Sequence, residues 1–209
     1  MRSLKTWFNP NTKAFWEKNY QKQIGQQKLR CDGDHLLKFR DLFENAGSIL
    51  DFGAGLGGDV QYIASLVEKT QFMLVDHSET CLDYARNQLL GTSDKRGNSY
   101  SYHLNLNDIE DESVDMVISI QVLEHITGYR TVMDRLWNKL KPGGILFISV
   151  PVKGRRDSNR QHVNKFTVTS MFKILSNYNE IIHIAVRDYT NRSGRLSTAY
   201  FYVRKAGRE

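Results

Sequence analysis

Cysteine and proline are scarce in this chain, with two and three copies respectively. Cys31 and Cys81 stand far apart with no CxxC spacing, which excludes a disulfide framework and a zinc ribbon and predicts reduced thiols in a cytoplasmic protein. No apolar run approaches the ~20 residues a membrane span needs. The opening "MRSLKTWFNPNTKAFW" has no apolar h-region, so a secretory signal is not expected. Repeats and low-complexity tracts are lacking too, which leaves no basis for a solenoid or a long disordered linker. What remains is ordinary globular composition, 40% hydrophobic and 25% charged over 209 residues. That length suits one domain, 1–209, with a full hydrophobic core.

Charge is unevenly spread. Residues 1–150 hold 17 Lys and Arg against 19 Asp and Glu, whereas residues 151–209 hold 12 against 4. The whole basic excess therefore lies in the C-terminal part, where a positive field favours an anionic partner, although a solvated basic surface would give the same count.

Short apolar strands alternate with helical patterns from Ser48 onward. "SILDF", "QFMLV", "YSYHL", "VDMVISI" and "ILFISV" read as strands. "DVQYIASLVEK", "SETCLDYARNQLL" and "YRTVMDRLWNKL" read as the helices between them, with "KPGG" as a chain break. Such alternation predicts a parallel sheet covered by helices on both faces. Upstream, a helix is expected over about Thr12 to Gln23. A second should be capped by Asp32 or Asp34, with Leu36, Leu37, Phe39, Leu42 and Phe43 on its apolar side. Beyond Pro151 a polar basic loop leads to a helix near Thr167–Ser176 and a hairpin formed by Glu180–Arg187 and Leu196–Arg204. Residues 1–47 thus form a helical cap, 48–152 the core, and 153–209 a loop, helix and hairpin.

The stretch "ILDFGAGLGGD" contains Gly53-x-Gly55-x-x-Gly58. Glycines let a backbone approach a ligand closely, and the following helix offers free N–H groups to an anion. That spacing alone suits NAD, FAD, a mononucleotide or S-adenosylmethionine. Asp51 divides them, since it would repel a pyrophosphate but attract an ammonium and a sulfonium; hydrogen bonding of the turn backbone is its plainer use. Asp76 ends the next strand in "MLVDHS", where a carboxylate can accept both ribose hydroxyl protons.

With "ESVDMVISIQVLEHI" and "LKPGGILFISVP" added to these two segments, residues from about Ser48 to Val152 resemble the class I S-adenosylmethionine-dependent methyltransferases, in particular their small-molecule members. The resemblance implies an α/β Rossmann-like fold: a seven-stranded, mostly parallel sheet in the order 3-2-1-4-5-7-6, strand 7 antiparallel. It implies S-adenosylmethionine as cofactor. Asp51 and the backbone at Gly53 and Gly55 would hold the methionine part, Asp76 the ribose, Asn105 and Leu106 the adenine. Gln121 would line the pocket after strand four, and the N-terminal helix would close over the cofactor. Trp7, Phe8, Phe15, Trp16 and Tyr20 are candidates for the acceptor pocket, with core packing an equal explanation for some of them.

Methyl transfer is an in-line displacement in which the protein aligns the acceptor and excludes water. An alcohol must lose a proton during attack and gains from a general base, whereas an amine or carboxylate does not. His35, His103 and His183 fall in helix or strand patterns and read as structural, and His77 as packing beside adenine. His162, in the irregular "RQHVNKF" segment, is the first candidate base or acceptor ligand, and His125 in "VLEHI" the second; each has a structural alternative. Arg156 and Arg160, in a loop with Lys153, Arg155 and Lys165, are candidate ligands for an acidic acceptor. Metal-using O-methyltransferases of this fold gather Asp and Asn ligands after strands four and five. "SIQVLEHI" and "VPVKGRRD" hold no acidic cluster, so no metal is expected.

The leading expectation is O-methylation of a small polar or anionic acceptor, a saccharide or an acidic metabolite. Its partners would be that small molecule and a second copy of the chain in a homodimer. N-methylation of a small molecule and RNA methylation on the basic face are alternatives. Against RNA, no NPPY-type tetrad follows strand four, and no additional RNA-binding domain is seen. A non-catalytic cofactor-binding subunit is the reading from another class.

Overall fold

The structure is a computed structural model that describes residues 10–153, 157–191 and 194–207. Seven strands form one sheet: β1 (Ser48–Phe52), β2 (Gln71–Val75), β3 (Ser99–His103), β4 (Val114–Ile120), β5 (Leu140–Pro151), β6 (Glu180–Asn191) and β7 (Gly194–Arg204). Their order is β3-β2-β1-β4-β5-β7-β6. The first five run parallel, and β7 lies antiparallel to both β5 and β6. The fold expected from the sequence is therefore the fold found. The described residues include no helix long and apolar enough to cross a membrane.

Alternation along the strands divides the core into two layers. Leu50, Val117, Leu146, Ile148 and Phe201 face α6 (Tyr129–Lys139) and α7 (Val168–Leu175). Ile49, Met116, Ile118, Phe147 and Tyr202 face α4 (Gly58–Leu66) and α5 (Glu79–Tyr84), together with the short α2 (Gly33–Leu36) and α3 (Arg40–Glu44). A parallel sheet packed on both faces explains why its central strands read as near-continuous apolar runs.

Helix α1 (Lys13–Gly25) is N-capped by Thr12, whose side chain accepts from the N–H of Phe15 at 3.2 Å. It lies across the C-terminal ends of the strands. Glu17 reaches the free N–H groups at the start of α5, accepting from Glu79 at 2.9 Å and from Thr80 at 3.3 Å. Lys13 pairs with Glu79 at 3.0 Å.

Three local expectations differ from the structure. The helix expected after Asp32 is broken into α2, a 3₁₀ turn (Leu37–Phe39) and α3, which turns Leu37 out to 49% exposure rather than into the core. The helix after β2 changes at Ala85 into a π-helical turn ending at Leu90. "KPGG" does not break the chain but opens β5. Gly143 takes φ +81°, and the β4–β5 register slips between Val114 and Met116, so the segment is accommodated as an irregularity within the strand.

Candidate active site

Beyond the C-terminal ends of β1, β2 and β4 lies a cleft of about 1180 Å³, roofed by α1. This is where ligands of open α/β sheets bind. Its floor is the turn after β1. Gly53 has φ +77°, and a Cβ there would lie 2.4 Å from Val122, so only glycine fits. Gly58 begins α4 with no room either: a Cβ would meet the carbonyl oxygen of Arg30 at 2.1 Å. The first glycine thus brings two loops together at the floor, and the third seats the 29–32 segment against α4.

Asp76 stands at the end of β2, 5% exposed. Its Oδ2 accepts from the N–H of Gly55 at 3.0 Å and from the Tyr20 hydroxyl at 3.3 Å, and its Oδ1 from the N–H of Ser78 at 3.0 Å. Asp51 is buried behind the turn and is not part of the cleft lining. Burial, with Asp59 and Asp76 nearby, pushes its pKa well above the ordinary carboxylate value. Asn105 and Leu106 line the cleft beyond β3, Asn105 accepting from the N–H of Asn107 at 2.9 Å. Gln121 also lines it, with φ +57°, uncommon for a side-chain-bearing residue. It is held by hydrogen bonds to Ser149, from its backbone N–H to the carbonyl at 3.0 Å and from its amide to the hydroxyl at 3.3 Å.

The opposite wall is built from three distant segments. Trp16 of α1 meets His125 edge-on, ring centroids 5.0 Å apart, and His125 meets His162 in the same manner at 5.0 Å. His125 donates its Nδ1–H to the carbonyl of Gln161 at 3.0 Å. His162 donates its Nδ1–H to Asp157, and its Nε2 accepts from the Asn159 amide at 2.9 Å. Asn11 donates to two carbonyls, those of His125 at 2.9 Å and Gln161 at 2.8 Å. Glu124 is 1% exposed, with Oε1 3.8 Å from His125 Nε2 and Oε2 without a hydrogen-bond partner. Burial raises the Glu124 pKa to about 8. Burial lowers that of His125 to about 4; the bond to Gln161 works the other way, and His162 and Arg30 add to the lowering. Burial alone would raise Asp157, but its bonds from His162 and the Asn159 N–H hold it below the ordinary value.

The candidate residues thus divide. Gly53, Gly55, Asp76, Asn105, Leu106, Gln121, Tyr20, His125 and His162 meet around one cleft. Phe15, Trp16 and His77 line it as well. Arg160 is exposed and outside the lining, which its neighbours Asn159, Gln161 and His162 form instead. Lys165 is also turned away, donating to the carbonyl of Asp157 at 2.7 Å. Arg155, Arg156, Trp7 and Phe8 lie outside the described residues. The cations that do line the cleft are Lys13, Arg30, Arg135 and Arg187, none of them singled out by the sequence. Glu124 and Asp157 are not among the site residues the sequence suggests; the burial that sets both apart appears only in the folded chain.

Residues 50–146 match the family model described as a methyltransferase domain. The chain is 28% identical over 147 residues to phosphoethanolamine N-methyltransferase 2 of Caenorhabditis elegans, an alignment covering 68% of this chain and 32% of that protein. The chain therefore spans about a third of that relative's length. Among solved structures it is similar to a putative methyltransferase from Bacillus halodurans, with a TM-score of 0.67 and 14% identity over 84% of this chain and 99% of that one. It is also similar to the Haemonchus contortus phosphoethanolamine N-methyltransferase 2 in complex with phosphomonomethylethanolamine and S-adenosylhomocysteine, with a TM-score of 0.64 and 18% identity over 83% and 52%. Sheet order, glycine turn and family match agree: residues 50–146 match a methyltransferase domain, set in a sheet with the strand order of the class I S-adenosylmethionine-dependent methyltransferase fold.

Proposed function

We propose that the protein transfers a methyl group from S-adenosylmethionine to a hydroxyl of a small, polar, anionic acceptor such as a saccharide or an acidic metabolite. When bound, the cofactor supplies a methyl group already activated on a sulfonium. Asp76 is placed to accept from the ribose hydroxyls, and Asn105 and Leu106 to meet the adenine. The backbone at Gly53 and Gly55 and the side chain of Gln121 flank the methionine part. Asp51 stands behind it as a buried negative charge for the ammonium and sulfonium. The acids around the turn fit a cationic ligand better than a pyrophosphate, while Gly53 leaves room for Val122 to pack against the turn.

The observation that carries the choice of a hydroxyl is the convergence of Glu124, His125 and His162 at the wall facing the cofactor side. An attacking hydroxyl must lose its proton there, and the two imidazoles are the groups placed to assist. The lining cations Lys13, Arg30, Arg135 and Arg187 favour an acceptor bearing a carboxylate or phosphate. A second reading, methylation of an amine, is supported by the similarity to phosphoethanolamine N-methyltransferase 2. Incubation with labelled S-adenosylmethionine and paired hydroxyl and amine acceptors, each with and without an acidic group, decides between them by mass spectrometry. Labelled methyl on oxygen of the acidic compounds is the expected result; methylation of amines alone would replace the first reading with the second.

A further inference from the structure

Glu124, His125 and His162 are the one group of three potential metal ligands among the described residues, their ligand atoms all within 4.8 Å of one another. From this cluster we infer that the acceptor wall is a binding site for one divalent transition-metal ion, with zinc the best-fitting probe. The inference rests on the reading of that wall as the place where the acceptor's reacting oxygen arrives.

Four observations converge on it. The ligand set is two imidazoles and one carboxylate, which suits zinc and its first-row neighbours rather than magnesium, a cation that prefers oxygen alone. Both rings are already oriented as ligating histidines are. Each donates its Nδ1–H to a fixed acceptor, His125 to the Gln161 carbonyl and His162 to the Asp157 carboxylate, leaving Nε2 with its lone pair. Glu124 Oε2 is buried with no hydrogen-bond partner, an arrangement that costs free energy unless something electropositive is met there. Finally, the site borders the cleft, so three protein ligands leave a coordination position for a substrate oxygen. One contact must yield: the Asn159 amide, now 2.9 Å from His162 Nε2, gives way to the ion.

In this arrangement the imidazoles act on the acceptor through the ion. The acceptor hydroxyl binds the metal, which lowers its pKa, and its proton leaves to solvent water. The oxygen lone pair then forms the O–CH₃ bond as the S–CH₃ bond breaks, the electron pair returning to a now neutral sulfur. The lack of an acidic cluster after strands four and five argues only against oxygen-ligated cations such as magnesium. His162 lies beyond both segments in sequence and joins Glu124 and His125 only in the folded chain.

The test uses the full, untagged chain, stripped with a chelator and dialysed. Calorimetric titration with zinc is expected to show one tight equivalent per chain, and titration with cobalt a visible ligand-field spectrum. Asp157→Asn, which loosens His162 without removing a ligand, should weaken zinc ~10–100-fold. Glu124→Gln and His162→Ala should weaken it further, with S-adenosylmethionine affinity unchanged and melting curves verifying that each variant is folded. Absence of a stoichiometric site, or equal zinc affinity in all three variants, overturns the inference. Turnover separates this from failure of the functional reading. Methyl transfer that proceeds in stripped protein and is unaffected by zinc, manganese or cobalt counts against the metal and leaves the function standing. Zinc bound as expected, with no acceptor methylated, keeps the site and removes the function.

Discussion

The two walls of the cleft are held by different kinds of contact. On the ribose side, Gly53, Gly55 and Asp76 belong to one strand–helix–strand unit, and the Gly55 N–H donates to Asp76 at 3.0 Å just beyond the ends of two neighbouring parallel strands in fixed register. On the acceptor side, Asn11, Trp16, His125, Gln161 and His162 come from three segments joined by side-chain contacts and carbonyl bonds spanning more than a hundred residues of sequence. A wall built by sheet register is rigid and reads locally. A wall built by loops and a roofing helix depends on the whole chain being folded, and one substitution can alter it without disturbing the sheet. Cofactor binding and acceptor chemistry should therefore separate under mutation.

The largest expected effect lies on the acceptor wall. His162→Ala should lower kcat by ~10²–10⁴ on an alcohol acceptor, the usual range for losing assistance to proton removal. Calorimetric S-adenosylmethionine affinity should stay near that of the parent. Loss of cofactor affinity of the same size would show that the walls are not separable.

Next comes the ribose wall. Asp76→Ala removes the acceptor for the ribose hydroxyls; hydrogen bonds to a charged group are worth ~1.5–3 kcal/mol each, so affinity should fall at least ~10-fold. Calorimetry checks it, and an unchanged affinity would remove Asp76 from the site.

Asp51 sharpens the contrast through pH. Its pKa in the free protein is raised, chiefly by burial, and a cationic ligand lowers it again. Binding should therefore release a proton, and affinity should rise as pH rises through the free-protein pKa. Calorimetry in buffers of different ionisation enthalpy should detect that proton in the parent and not in Asp51→Asn.

The smallest effect is expected beneath both walls. His35 stacks on Tyr200 with ring centroids 3.4 Å apart, and burial, helped by Lys38 and Arg187, lowers its pKa to about 4. The unfolded ring takes up a proton near its ordinary value of 6.5, whereas the folded ring resists until about 4. Stability from this residue is thus complete above pH 6.5 and lost as pH falls toward 4. In His35→Phe the loss of stability between pH 7 and pH 5 should shrink by about 1 kcal/mol, measured by denaturant unfolding at the two values. A parallel pH profile in both proteins would contradict the burial of a neutral ring.

How far the sequence could be read follows the same division. β1, β2 and β4 are legible residue for residue because apolar runs bounded by glycine, acid and turn residues carry their own boundaries. Asp76 was legible because strand end and glycine turn lie close in sequence. The break at Leu37 and the π-helical turn were not legible, since tertiary packing rather than local pattern decides where such helices bend. The left-handed backbone of Gln121 gives no signal either, because nothing in its side chain requires it. Arg187 and Arg30 reach the cleft only through the course of β6 and of the segment that Gly58 admits. Glu124 looks in sequence like one more strand-end acid; its significance lies in an oxygen with nothing to bond, which only packing reveals.

Asn11 uses one carboxamide to clasp the carbonyls of His125 and Gln161, and α1 behind it leans on Asp76 through Tyr20. The roof therefore sets the spacing of the two imidazoles while contributing no strand to the sheet. The same segment therefore touches both walls, the imidazoles through the Asn11 clasp and the ribose acid through Tyr20, and a shift of the roof moves them together.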